Sequence, residues 1–308
     1  MRLLEVRKIW DIAPHNAFTD LVRFNNNWFC VFREGETHVS SDGCLRIIYS
    51  EDGKNWRSVA KIESTNSDLR DAKITVTPNG ELMLCGAEAF HVPNPHTHQS
   101  LAWFSRDGVN WSEKHLIGDK NIWLWRVTWF RKKAYGMGYG CGEKNRVLRL
   151  YTSLDGKVFS TVGDYFRGQG YANETSIVFR DDKAYCLLRR DDEGETAMIG
   201  TASFPFSEWT WKDLGVWLGG PHLLLMPGDR LLAAVRIRQD GGEERRTVLG
   251  WIDPKKSTFE ECLVLPSGGD TSYAGMVFHK GILNLSYYSS HEGKTAIYFA
   301  KVEASNKA

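Results

Sequence analysis

The sequence is short of the features that mark several large functional classes. No two of its six cysteines form a Cys-x-x-Cys pair, which removes the usual spacing of a structural zinc site or a dithiol redox motif. Cys30, Cys85 and Cys186 instead fall inside apolar runs such as Trp28-Phe-Cys-Val-Phe, and read as reduced core thiols. No sign of charge dominates. With 39 basic and 38 acidic residues the net charge is +1, without the basic footprint of a nucleic-acid binder. No apolar run is long enough to span a membrane, and Met1-Arg-Leu-Leu-Glu-Val-Arg-Lys lacks the apolar stretch of a signal peptide. The expectation is a soluble cytoplasmic protein with no nucleic-acid or membrane partner, no cofactor and no metal. Prolines number only nine, and no Pro/Ser-rich or single-charge linker divides the 308 residues, so one domain is expected over 1–308.

What is present is a repeat. Ser50-Glu-Asp-Gly-Lys-Asn-Trp56, Ser105-Arg-Asp-Gly-Val-Asn-Trp111 and the weaker Ser153-Leu-Asp-Gly-Lys-Val-Phe159 share the Asp-box pattern, each after an apolar strand-like run. The Asp-Gly pair reads as a hairpin turn whose carboxylate bonds turn amides, so Asp52, Asp107 and Asp155 are structural. Taken as phase marks, they set a unit that recurs roughly every 48 residues. The units run over 18–64, 70–117, 123–166, 174–216, 219–266 and 271–304, with four short strands in each of the first five. The last shows only three clear strands, and Leu3 to Trp10 is the natural fourth, closing a ring without an open edge. The fold class is therefore all-β, a six-bladed β-propeller.

In a propeller the innermost strands begin near the axis, so equivalent positions of successive units converge there. These positions are Ala17 to Asp20, Leu69-Arg-Asp71, Trp125-Arg126, Asn173-Glu174, Pro221-His222 and Ser272-Tyr273. Loops after the second strands add Arg33 to His38 with Asp42, Glu88 with His91, His96 and His98, Glu143, Arg189-Arg-Asp191, Arg236 with Arg238, and Tyr287 to Glu292. Arginine is frequent in this set, and Arg33, Arg70, Arg189, Arg190 and Arg236 around one cavity imply an acidic ligand. Asp20, His38 and His291 complete the candidate binding group. His91, His96 and His98 have neither a nearby cysteine nor a settled carboxylate, and read as a rim rather than metal ligands.

Over essentially its whole length the chain resembles the sialidase-like superfamily, most closely bacterial Asp-box proteins described as exo-sialidase-like. The resemblance rests on Phe32-Arg-Glu-Gly-Glu-Thr-His38, Asp68-Leu-Arg-Asp71, Gly269-Asp-Thr-Ser-Tyr-Ala-Gly275 and Ser286-Tyr-Tyr-Ser-Ser-His-Glu-Gly293. It implies a glycosidase that releases a terminal acidic sugar from a glycan and retains the anomeric configuration. On that reading Tyr273 is the nucleophile, Glu174 its base, Arg189 or Arg190 and Arg236 hold the substrate carboxylate, and Asp42 is the acid/base, with His38 as its rival. The chain departs from the family in the first unit. Where the family has Phe-Arg-Ile-Pro, this sequence has Ala17-Phe-Thr-Asp20, without an arginine. Either Arg33 or Arg70 supplies the lost charge, or the pocket takes another sugar. The competing readings are a uronate-directed lyase or hydrolase using His38 or His291 with a tyrosine, and a glycan-binding propeller without catalysis.

Overall fold

Short runs of Val, Ile, Leu and aromatic residues, broken by Asn, Asp and Gly turns, leave room for strands of three to ten residues. In the computed structural model, which describes residues 1–93, 95–142, 145–238 and 244–304, these runs form 25 strands and no α-helix. The amino-terminal strand is β1 (Arg2–Trp10). Blade one follows as β2 (His15–Phe24), β3 (Asn27–Gly35), β4 (Cys44–Ser50) and β5 (Arg57–Ile62), and blade two as β6 (Ser67–Val76), β7 (Leu82–Phe90), β8 (His98–Ser105) and β9 (His115–Ile117). In blade three the inner strand is split into β10 (Ile122–Leu124) and β11 (Thr128–Phe130), both paired with β12 (Lys133–Gly140), then β13 (Leu148–Ser153) and β14 (Ser160–Tyr165). Blade four is β15 (Ala172–Arg180), β16 (Lys183–Arg190), β17 (Met198–Ser203) and β18 (Trp209–Asp213). Blade five is β19 (Gly219–Met226), β20 (Arg230–Arg238), β21 (Arg245–Asp253) and β22 (Thr258–Val264). Blade six is β23 (Thr271–His279), β24 (Ile282–Ser289) and β25 (Ala296–Glu303), with β1 antiparallel on the outer edge of β25 from Arg2 opposite Glu303 to Trp10 opposite Ile297.

Burial follows position within a blade. Middle strands are covered on both faces by neighbouring blades, so β20 is apolar through Leu231-Leu-Ala-Ala-Val235 and buried throughout that run. Outer strands such as β5 and β22 are partly exposed and carry the charged residues. Around the axis β2 packs on β6 and β23, β15 on β19, and β19 on β23; blade three meets its neighbours through β10 against β8 and β12 against β15. The seam between blades one and six is tight. A Cβ on Gly275 would lie 2.1 Å from the Leu21 amide nitrogen, so only glycine lets these inner strands approach.

The Ser-x-Asp-Gly turns behave as the sequence predicts. Asp52 Oδ1 accepts the amides of Lys54 and Asn55 at 2.7 and 2.9 Å, and Asp107 and Asp155 accept the equivalent pairs in blades two and three. Asp253 takes the amides of Lys255 and Lys256 in the same way in blade five, although Pro254 hides the pattern from a motif search.

One feature of the inner strands positions the site. The register of β2, β6, β15, β19 and β23 against the second strand of each blade slips between Ala17 and Asp20, Arg70 and Lys73, Ala172 and Thr175, Gly219 and His222, and Ser272 and Gly275. Each slip is a β-bulge at the axial end, and blade three breaks its strand at the same level. Phe18, Asp71, Ser272 and Tyr273 there have left-handed backbones, with φ of 62°, 54°, 98° and 50°. Such a conformation costs a non-glycine residue about 1–3 kcal/mol, and a bulge re-aims a side chain out of the strand's regular alternation.

Candidate active site

The bulges surround an axial cavity of about 290 Å³ lined by Phe18, His38, Arg70, Asp71, His98, Trp123, Trp125, Tyr139, Tyr171, Asn173, Glu174, Arg189 and Tyr273 among others. Three surface grooves are larger, at about 660, 670 and 430 Å³, but the axial cavity is where buried ionisable groups converge. At its floor the Tyr273 hydroxyl donates to Glu174 Oε1 at 2.6 Å, and Arg189 Nη1 donates to both groups at 2.9 Å. Glu174 Oε2 accepts the Gly220 amide at 3.0 Å. Gly220 has φ +56°, and a Cβ there would stand 2.9 Å from the Tyr273 ring, so glycine is required on both counts.

Electrostatics sharpen the picture. Burial, and then the Glu174 carboxylate, push the Tyr273 phenol above its usual range, while Arg189 and Arg236 pull the other way. The phenol is therefore neutral at rest, with a carboxylate in place to take its proton. Arg236 lies over the Tyr273 ring at 5.2 Å, and Arg70 over the Phe18 ring at 5.6 Å. Burial raises the Asp71 carboxyl despite the neighbouring charges of Arg70 and Lys73. Lys73 lies buried below, its ammonium 4.8 Å from the Trp125 ring, and burial pushes its pKa down to about 8. Opposite the charged groups Trp123 and Tyr139 stack at 5.9 Å, forming an apolar wall.

The structure thus brings Tyr273, Glu174, Arg189, Arg70 and His38 to one cavity, with Arg236 on the Tyr273 ring. It does not bring the other sequence candidates there. Arg33 is fully buried: Nε donates to Asp68 at 2.8 Å and Nη1 to the Thr37 carbonyl at 2.8 Å, while Nη2 reaches Ser40. Every nitrogen of its guanidinium is engaged, two of them in holding the 36–42 loop. Asp42 stands exposed in that loop, accepting the Glu36 amide at 3.1 Å. A hydrogen bond from Ser40 holds its carboxyl below the usual range, the wrong direction for a proton donor. Asp20 is buried between blades, accepting from the Ile74 amide and Arg126 at 2.9 Å each. Arg190 turns away to the Thr196 carbonyl and Asp213. His291 packs on Tyr298 and Ser289. Of His91, His96 and His98 only His98 lines the cavity, while Glu143 lies outside the described residues.

Sequence reasoning did not single out Asp71, although it stands in the convergent set, nor Lys73 buried beneath the cavity. It also missed a second group. Asp270 Oδ2 lies 3.2 Å from His15 Nε2 and 2.8 Å from His38 Nδ1, while Tyr288 donates to Oδ1 at 2.6 Å. His15, His38 and Asp270 are the one set among the described residues with the spacing to hold a metal. Nothing in the sequence joins them, since His15 and Asp270 are 255 positions apart.

No protein-family model matches the chain, and no curated protein matches its sequence. Solved structures do. The chain is similar to a Dyadobacter fermentans protein of unknown function with TM-score 0.79 and 19% identity, over 97% of this chain and 99% of that one. It is similar to Trypanosoma rangeli sialidase with TM-score 0.76 and 13% identity, over 94% of this chain but only 55% of the sialidase. A Penicillium chrysogenum α-L-arabinanase matches with TM-score 0.72 and 12% identity, over 98% of this chain and 99% of that one. At these identities the likeness shows the fold, a sialidase-like six-bladed propeller.

Proposed function

We propose that the protein is a glycoside hydrolase that releases a terminal acidic sugar by a retaining mechanism. The observation that carries this reading is the 2.6 Å hydrogen bond from Tyr273 to Glu174, with Arg189 bonded to both, on the floor of the axial cavity. The fold it shares with a sialidase and an arabinanase, both glycosidases by name, agrees with it. Glu174 takes the phenolic proton as the Tyr273 oxygen attacks the anomeric carbon, and the bond to the leaving oxygen breaks. Asp71, rather than Asp42, gives that oxygen its proton, because burial favours its protonated form. Water then attacks the glycosyl-tyrosine: its proton goes to Asp71, and Glu174 returns the first proton to the phenol. A neutral phenol suits a substrate that bears its own carboxylate, since the approaching nucleophile carries no charge at rest. Arg70, Arg189 and Arg236 are the groups for that carboxylate, with Arg70 taking the place of the arginine missing from Ala17-Phe-Thr-Asp20.

Steady-state kinetics on aryl glycosides of acidic sugars test the proposal. Tyr273→Phe and Glu174→Gln lower kcat by about 10²–10⁴-fold, the usual range for losing a positioned proton acceptor or its nucleophile. Arg189→Ala instead raises KM. Full activity in Tyr273→Phe overturns the mechanism. A second reading, elimination on a uronate with His38 as base, draws on the 2.8 Å His38–Asp270 contact. Its product, an unsaturated sugar absorbing in the ultraviolet, separates the two.

A further inference from the structure

We propose that His15, His38 and Asp270 form a binding site for a divalent transition-metal ion of the zinc class, at the seam between the first and last blades. His15 opens β2, His38 stands in the loop after β3, and Asp270 immediately precedes β23, so the ring must close before the three can meet. Asp270 Oδ2 faces both rings at 3.2 and 2.8 Å, and one ligand atom from each residue lies within 4.8 Å of the other two. A zinc ion about 2.0–2.1 Å from each of three tetrahedral ligands holds those ligands about 3.3 Å apart. Shifts of roughly an ångström or less therefore convert the cluster into a ligand set.

The surroundings hold the Asp270 carboxylate in place. Tyr288 donates to Asp270 Oδ1 at 2.6 Å, and the Asp270 amide donates to Ser290 Oγ at 2.8 Å. The first bond fixes the carboxylate with Oδ2 turned toward the imidazoles, the role outer partners play around metal ligands, and the second holds the backbone that carries it. The two rings meet edge-on, 5.4 Å apart and inclined by 70°, and a nitrogen of each lies within 4.8 Å of the other. Phe18 closes one side with its ring 5.0 Å from His38. Arg236 approaches Asp270 only at 3.5 Å, on Oδ1, the oxygen turned away from the rings. His15 is 11% exposed and His38 50% exposed, and His38 lines the axial cavity, which gives the ion a path in and a free coordination position facing the cavity. A cation there stands on the blade that lacks the family's first arginine. The same ion would occupy the His38 lone pair that the elimination reading needs as a base. The site itself does not depend on the glycosidase reading.

Titrating the chelator-treated full chain tests this, with Zn²⁺ followed by calorimetry and Co²⁺ by visible absorption. The expected result is one equivalent per chain, a tetrahedral-type Co²⁺ band, and a higher melting temperature with Zn²⁺ present. His38→Ala removes the most exposed ligand with least risk to folding, and Asp270→Asn removes the anionic one; each weakens binding by at least about 100-fold. The double variant His91→Ala/His96→Ala, on the neighbouring loop, binds like the wild type. Absence of stoichiometric binding by the wild type, unchanged affinity in His38→Ala, or loss of binding in the loop variant overturns the proposal. None of these readouts needs turnover, so the site and the glycosidase reading fail separately.

Discussion

At the residue scale, the same side chain does opposite work according to what surrounds it. Arg33, fully buried, and Arg189, partly buried, both stand beside carboxylates, yet Arg33 faces only its own loop and Asp68, while Arg189 faces the cavity. Asp71 and Asp42 differ likewise. Burial raises Asp71, whereas hydrogen bonds lower Asp42. If Asp71 is the proton donor, Asp71→Asn slows an alkyl glycoside by about 10²–10⁴-fold and a nitrophenyl glycoside far less, because nitrophenolate leaves without a proton. Equal losses on both substrates would refute that role. Lys73 gives a stability prediction. Its folded pKa of about 8 lies below the ordinary 10.5, so between those values the unfolded chain holds the extra proton and stability rises with pH. Denaturant melts from pH 8 to 10.5 should show a gain of at most about 3 kcal/mol, flattened in Lys73→Met. A slope unchanged by the substitution would mean that another group carries it.

At the element scale, the bulges decide which side chains reach the axis. Regular alternation along β6 would send Asp71 and Lys73 to one face; the slip between Arg70 and Lys73, with φ 54° at Asp71, changes that. The loop after β3 is the other decisive element. It presents His38 to the cavity because Arg33 holds the loop from within through Thr37 and Ser40, and Asp68 of β6 balances the charge. Removing one partner of a buried pair leaves an uncompensated charge, so Arg33→Met should cost about 3–5 kcal/mol. Arg33→Met/Asp68→Leu should recover part of that loss in chemical denaturation. If the double variant is no better than the single, the loop contacts and not the ion pair supply the stability.

At the scale of the whole molecule, the ring is held at one seam by strands from the two ends of the chain. β1 covers the edge of β25, and Trp10 donates its indole N–H to Glu34 of blade one at 2.6 Å, tying the closing strand to the next blade. Deleting residues 2–10 bares a full row of backbone donors and acceptors on β25. The expected result is a lower melting temperature and concentration-dependent association in light scattering. A monodisperse variant melting like the wild type would show that closure does not need β1. Six blades and the place of β1 were legible because turn chemistry is local: Asp52, Asp107 and Asp155 bond amides two and three residues away. The membership of Tyr273, Glu174 and Arg189 in one cavity was legible through repeat phase and family resemblance together.

Strand content, the repeat and the positions that start near the axis can be read along the chain, since each depends on neighbours within one hairpin. Which of those positions face the cavity depends on contacts between blades. Arg33, Asp42, Asp20, Arg190 and His291 carry suitable chemistry but are spent on local or inter-blade bonds. Asp71 and the His15–His38–Asp270 cluster owe their placement to bulges and to ring closure. A one-residue slip reverses a side chain's direction, and contacts between positions 255 apart leave no periodic trace, so neither can be read along the chain.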